Sequence, residues 1–337
     1  MKFKVVKLAF RAPLHLGERE GIMERAAFRL SSDTLFSAIC SAISLCFGRR
    51  QLEKMLERFE NGDPPFLLSS AFPYWKNNLF LPRPLKWEFS WGAGNEQDEK
   101  RKKKIAYLPL QCWELEAEEL NRHLQEAKLI QEGKILAFKT TPTPPDTLWY
   151  EFEVPRVSLD RLNSNSNIFH FKTVFFEKDA GLYFLIYYFD SGWRKYLETA
   201  FRLLGDEGIG GDRSAGYGLF TPHFGLEAAI PSPGEGEMSM LISLYFPRRE
   251  ELGFLKNCSY QIRSRAGFIY SPHGTRWRKK KVHVFSEGSI FSGLLSGAGA
   301  LVDITPPGFS FHRAFRYGMA LTISLPGCAS GRGKHEI

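Results

Sequence analysis

Gly208-Ile209-Gly210-Gly211-Asp212-Arg213-Ser214-Ala215-Gly216-Tyr217-Gly218 places five glycines in eleven positions. Glycine tolerates positive φ and lets a ligand approach the backbone closely, so such a loop can turn several N–H groups toward phosphate oxygens. A tight helix-to-strand turn accounts for one or two of these glycines, not for five beside Arg213 and Ser214. Two common phosphate loops are excluded. A Walker A loop needs Gly-Lys-Ser/Thr after its second glycine, and here the chain reads Gly216-Tyr217-Gly218. A dinucleotide fingerprint needs a strand before it and a helix after it; here the pattern predicts a helix over 193–204 and then a strand over 217–221.

Upstream of the loop, residues 3–10 predict an opening strand that leaves through Pro13-Leu14-His15-Leu16-Gly17. Ser31-Ser32-Asp33 supplies helix-capping chemistry ahead of two adjacent apolar stripes, Leu35/Ile39/Ala42/Cys46 and Phe36/Cys40/Ile43/Phe47. Two stripes predict a helix buried on most of its surface. An amphipathic helix over 50–60 stops at Asn61-Gly62-Asp63-Pro64-Pro65, and extended segments follow at 66–75 and 79–81. From about 86 to 139 the composition turns charged, with the run Lys100-Arg101-Lys102-Lys103-Lys104 and then an acidic helical stretch near 114–126. This reads as an insertion, its lysine run either an RNA contact or a solvated mobile loop. After the stiff connector 140–146, segments 149–154 and 168–176 read as strands. A turn at Lys178-Asp179-Ala180-Gly181 then predicts a hairpin between 168–176 and 182–189.

Downstream, Ile230-Pro231-Ser232-Pro233-Gly234-Glu235-Gly236-Glu237 reads as a linker, so the predicted domains are 1–229 and 230–337. The second half offers extended segments at 240–246, 260–270 and 317–325 and a basic run at 276–281, which either tracks phosphate or is a mobile surface. Strands with few helices point to an α+β fold.

Composition narrows the function class. The 337 residues carry 45 basic and 37 acidic side chains, a formal charge of +8, and 29 Phe. Aromatics fill cores, and in a basic protein they can also stack on unpaired bases. The most apolar stretch, 35–47, contains Ser37, Ser41 and Ser44 and falls short of the ~20 residues of a membrane span. No secretory signal is visible at the N-terminus, and a cytoplasmic protein is expected. The five cysteines form no C-x-x-C pair and the eight histidines no ligand-spaced pair. Neither a disulfide framework nor a metal is indicated, and no cofactor is expected.

The loop and its setting resemble the RAMP proteins of CRISPR systems, whose signature is G-x-G-G-x-x-S-x-G-x-G between the last helix and last strand of a ferredoxin-like domain. Gly208, Gly210, Gly211, Ser214, Gly216 and Gly218 match it in order. Three further segments narrow the resemblance to the family of fourth subunits of the Csm complex, the type III-A effector. These are 13–17, Leu30-Ser31-Ser32-Asp33-Thr34-Leu35-Phe36-Ser37-Ala38-Ile39 and Arg156-Val157-Ser158-Leu159-Asp160-Arg161. The likeness covers about 1–225. It implies two ferredoxin-like (RRM-like) domains with insertions, the second more divergent, the first carrying the glycine loop. It also implies a non-catalytic subunit that grips the repeat-derived 5′ handle of the CRISPR RNA and caps one end of the complex. Such a subunit contacts the large cyclase/polymerase-like subunit and the backbone RAMP subunit, with neither a membrane nor direct DNA contact expected.

The RNA-contact set that follows comprises His15, Gly17, Arg156, Arg161, the loop residues Gly208, Gly210, Gly211, Asp212, Arg213, Ser214, Gly216, Tyr217 and Gly218, and Arg263 with Arg265. Alternatives stand beside these. His15 is an RNA contact, a structural residue, or the general acid/base of a metal-independent endoribonuclease that processes repeat RNA. The equivalent end-cap of a type III-B complex is a further reading. Asp33 reads as a helix cap rather than a catalytic acid. Arg156 and Arg161 flank a strand beside Asp160, where an internal ion pair competes with RNA contact; Arg263 and Arg265 alternate and so share a strand face. Trp193, Phe201 and Phe175-Phe176 are expected in the core. An end-cap made to be covered is also expected to aggregate when isolated at low salt.

Overall fold

The computed structural model describes residues 1–16, 30–89, 91, 95–159, 166–256, 258–269 and 277–327. Its main body is a mixed nine-stranded sheet with few helices. Strand β1 (Lys2–Phe10) carries the apolar residues Phe3, Val5, Val6 and Leu8, all buried. Helix α1 (Ser32–Phe47) follows and buries Leu35, Phe36, Ile39, Ala42 and Ile43. Its last turn departs from the expected burial, because Leu45 and Phe47 are exposed. Ser31 occupies the N-cap position without a side-chain cap bond. Ser32 makes tertiary links instead: its N–H donates to Ser70 Oγ at 2.9 Å, and its Oγ accepts from Leu244 N–H at 3.0 Å.

Helix α2 (Arg49–Glu60) leads into β2 (Phe66–Leu68), β3 (Phe72–Trp75) and β4 (Asn78–Pro82). The charged insertion builds onto the sheet's far side. Helix α3 (Glu96–Lys104), β5 (Tyr107–Pro109), α4 (Ala117–Gln125), β6 (Lys128–Ile130) and β7 (Ile135–Ala137) belong to it. The lysine run is therefore the C-terminal part of α3, not a mobile loop. Glu96, Asp98 and Glu99 occupy its first turn and the cations its last, which complements the helix dipole.

Strands β8 (Trp149–Leu159) and β9 (Ser166–Phe176) pair with each other over their whole length as a two-stranded ribbon. Strand β10 (Ala180–Tyr188) enters the main sheet, flanked by β1 on one side and by β2 and β3 on the other. The expected hairpin of 168–176 with 182–189 is thus corrected. Lys178-Asp179 does reverse the chain, but the complementary segment 149–159 takes the partner edge of β9. Helix α5 (Arg194–Glu207) packs against α1 and is followed by the glycine loop and β11 (Phe220–Ala229), antiparallel to β1. The strand order is β11-β1-β10-β3-β4-β5-β7-β6, with every pair antiparallel except β5 with β7.

After 230–237 the chain forms small sheets. Strand β12 (Met238–Leu241) lies between β15 (Ile290–Ser292) and β18 (Thr322–Ser324); β13 (Ile262–Arg265) pairs β14 (Val282–Phe285), and β16 (Gly299–Asp303) pairs β17 (Phe315–Met319). The described residues of this half include one 3-10 segment, Arg249–Leu255, and no α-helix. The expected second ferredoxin-like unit therefore receives no helix from them. The linker also does not divide the core. Met240, Ile242, Tyr317, Met319, Leu321 and Ile323 belong to the same buried cluster as Phe3, Phe36 and Phe59.

Candidate nucleic-acid interface

The glycine loop is built by backbone-to-backbone sealing. Gly208 N–H closes α5 on Leu204 O at 2.8 Å, and Ile209 N–H donates to Gly218 O at 3.0 Å. Gly218 N–H then donates to Pro13 O at 2.7 Å, and Gly211 N–H to His15 O at 2.8 Å. The segment leaving β1 is thereby zipped onto the loop. On its other side Leu14 exchanges two backbone bonds with Val174 of β9 (2.8 and 2.9 Å), so the same segment carries the root of the ribbon.

This contact explains the glycines by space as much as by φ. A Cβ on Gly218 would lie 1.9 Å from Ile209 O, and one on Gly210 would lie 2.4 Å from His15 O. The N–H groups of Gly208, Ile209, Gly211 and Gly218 serve the chain's own carbonyls, so phosphate recognition by many loop amides is not the geometry here. The face presented outward is the 3-10 turn Arg213–Ala215 with its flanks: Asp212 and Ser214 are exposed, Arg213 and Tyr217 half-buried.

His15 is brought to this junction. Its ring lies against Gly211, where a Cβ would stand 2.7 Å from His15 Cδ2, and its Nδ1 is 2.8 Å from Lys172 O of β9. That bond orients the imidazole between loop and ribbon. Arg11 nearby donates from Nη2 to Gly205 O and Asp206 Oδ1, both at 3.1 Å, and so neutralises the negative end of α5. Sequence reasoning passed over Arg11 and Lys172; their roles lie in a helix terminus and a main-chain carbonyl, which no side-chain motif announces.

The ribbon adds aromatic surface. Tyr150, Phe152 and Phe175 are 46%, 51% and 42% exposed, with Phe152 and Phe175 edge to face at 5.5 Å. Phe175 was expected in the core; it lies opposite Tyr150 on the ribbon's outer face instead, while its neighbour Phe176 turns inward and stacks on Phe10 at 4.9 Å. Trp193 and Phe201 are buried as expected. Arg156 sits in β8 opposite Phe169. Gly17 and Arg161 lie outside the described residues.

Arg263 and Arg265 share a face of β13, as expected, and that face meets acidic groups. Arg263 Nη1 is 3.6 Å from Glu287 Oε2, and Glu287 also accepts from Ser70 Oγ. Arg265 clamps Asp33 through Nε and Nη2 at 3.0 and 2.9 Å, and Arg316 reaches the same carboxylate. Asp33 is thus not a helix cap by its side chain but the centre of a buried ion cluster. Burial alone would raise its pKa; the charges and hydrogen bonds of Arg265 and Arg316 outweigh that and hold it below the ordinary carboxylate value. Lys279 stands beside this cluster, its pKa lowered by burial and by Arg316 and Arg265 against the opposing pull of Asp33.

The comparisons with known proteins agree with this architecture. The family model of the CRISPR Csm4 C-terminal domain matches residues 234–325. The CRISPR system Cms protein Csm4 of Thermococcus onnurineus (strain NA1) is 30% identical over 309 residues, covering 88% of this chain and 92% of that protein. The Csm4 of Streptococcus thermophilus is 24% identical over 332 residues, covering 96% and 99%. Among solved structures, a chain of a Csm1–Csm4 cassette in complex with cA4 superposes with a TM-score of 0.59 at 26% identity, covering 97% of this chain and 99% of that one. A chain of the Csm3–Csm4 subcomplex in the type III-A CRISPR-Cas interference complex gives 0.64 at 20% identity, covering 96% and 99%, a likeness of fold. With one relative at this identity across most of both chains and the C-terminal model beside it, the chain belongs to the CRISPR Csm4 family.

Proposed function

We propose that this chain is a non-catalytic CRISPR RNA-binding subunit of a type III-A complex, gripping the repeat-derived 5′ handle at the junction of glycine loop, His15 and ribbon. It would bridge the large cyclase/polymerase-like subunit and the backbone subunit, a reading supported by one structure that pairs a Csm4 chain with Csm1 and another that pairs one with Csm3. The observation that carries the reading is the sealing of the loop onto the 13–15 segment and β9, which sets Arg213, Ser214 and the His15 ring on one preformed edge. A preformed edge with a cation, hydroxyls and exposed rings suits a single strand held in fixed shape. We read the first half as ferredoxin-like, supported by the order β11-β1-β10-β3 with α1 and α5 as the two crossovers.

The test is binding of labelled repeat-derived RNA in EDTA. The wild type is expected to prefer the handle over a scrambled strand and to leave it intact, and Arg213→Ala with His15→Ala to lose about tenfold or more in affinity. Cleavage in EDTA that His15→Ala abolishes would replace this reading with the endoribonuclease one.

A further inference from the structure

The basic run near 276–281 is not absorbed by that junction. Among the described residues, 277–281 form an extended segment pinned from both sides. Trp277 O accepts from Ile269 N–H, Lys279 N–H donates to Gly267 O at 2.9 Å, and Lys280 N–H donates to Ile304 O at 3.0 Å. Main-chain bonds to two neighbouring segments make this a fixed edge, not a loose loop. Lys279 lies half-buried by the Asp33 cluster, whereas Arg278, Lys280, Lys281 and, two residues on, His283 are exposed.

Surface cations elsewhere in the chain commonly sit beside a carboxylate, as Arg49 does with Glu53, Lys100 with Glu96 and Arg194 with Glu198. Arg278, Lys280 and Lys281 have no carboxylate within 4 Å among the described residues. Arg278 instead lies over the ring of Phe268, 5.5 Å from its centroid, and that ring is 39% exposed. Holding three like charges along one rigid edge of about 10 Å costs repulsion that an external polyanion relieves. The ring beneath Arg278 adds a flat face on which a base can stack, a feature that phosphate and base together exploit and an acidic protein surface does not.

We infer that 278–281 with Phe268 is a second contact for single-stranded RNA, separate from the glycine-loop junction and set in the C-terminal half. This rests on the RNA-binding reading above, and two different readouts keep the two apart. Handle preference, the affinity ratio of handle to scrambled RNA, reports the junction; the slope of log affinity against log salt reports the basic edge.

The experiment titrates the full chain with a labelled repeat-derived single-stranded RNA at several salt concentrations. The triple variant Arg278→Ser/Lys280→Ser/Lys281→Ser should flatten the salt slope by about 2, since each neutralised phosphate of a single strand contributes about 0.7. It should keep the handle preference and the melting temperature, and Lys280→Arg/Lys281→Arg should keep the wild-type slope. An unchanged slope in the triple variant with handle preference intact overturns the basic edge alone. A flattened slope in a protein without handle preference supports the edge while the handle reading falls. An unchanged slope combined with loss of a co-purifying acidic protein assigns the edge to that protein and overturns the RNA contact.

Discussion

Asp33 shows how a residue's role follows from its partners. It is 5% exposed, Arg316 is as buried, and together with Arg265 they form a cluster between the first turn of α1 and strands β13 and β17 of the other half. Removing the carboxylate leaves guanidinium charge buried without its counterion, so Asp33→Ala is expected to destabilise the protein by about 3–5 kcal/mol. Because the folded pKa of Asp33 lies below its unfolded value of about 3.8, its contribution is fully present above that pH and is lost as the pH falls through the folded value. Urea midpoints of wild type and Asp33→Ala should therefore differ most at neutral pH and converge below 3.8; a constant gap down to pH 3 would show that the cluster does not hold the charge. None of this was readable beforehand. Ser31-Ser32-Asp33 has the composition of a helix start, and nothing local says that its acceptors face arginines more than two hundred residues away.

At the scale of the element, periodic segments were legible and their pairing was not. The strands expected at 3–10 and 182–189 form as Lys2–Phe10 and Ala180–Tyr188, and the helices expected over 35–47 and 193–204 form as Ser32–Phe47 and Arg194–Glu207. The sharp turn at 178–179 does not make β9 the partner of β10. A turn brings two strands close, but the registry of eleven residues with β8 decides which edge is taken. The glycine signature marked the loop, while the reason for its glycines, backbone contact with 13–15, belongs to the tertiary structure. The β8–β9 ribbon carries Tyr150, Phe152 and Phe175 exposed, as well as Val157 at 56%. An aromatic patch on a two-stranded ribbon is an aggregation hazard in an uncovered chain. The triple substitution Tyr150→Ser/Phe152→Ser/Phe175→Ser is expected to suppress light scattering of the isolated protein at low salt. Its melting temperature should move by no more than a degree or two, since these rings are not in the core. Unchanged scattering would place the sticky surface elsewhere.

For the whole molecule, the Pro/Gly-rich segment 230–237 was legible as a connector, and it does separate two strand sets. What composition could not reveal is that the core crosses it. Phe36 packs on Phe59 and Tyr317 with centroid distances of 5.0 Å each. Leu68 N–H donates to Tyr317 Oη at 3.0 Å, and Trp113 Nε1 donates to Ser324 O at 2.9 Å. These links join α1, α2, β2 and the insertion to β17 and β18, all through fully or nearly fully buried groups. Separating the halves would strip Tyr317, Met319, Leu321 and Ile323 from their neighbours and leave the Asp33 cluster without its arginines. Fully burying one such side chain is worth about 1.5–3 kcal/mol, so the four together couple the two halves by an amount comparable with a typical domain's net stability. Calorimetry of the full chain should therefore show one cooperative transition with equal calorimetric and van't Hoff enthalpies. The Asp33→Ala substitution should lower its midpoint without splitting it. Two resolved transitions in the wild type would mean that the connector, and not the shared core, sets the unit of folding.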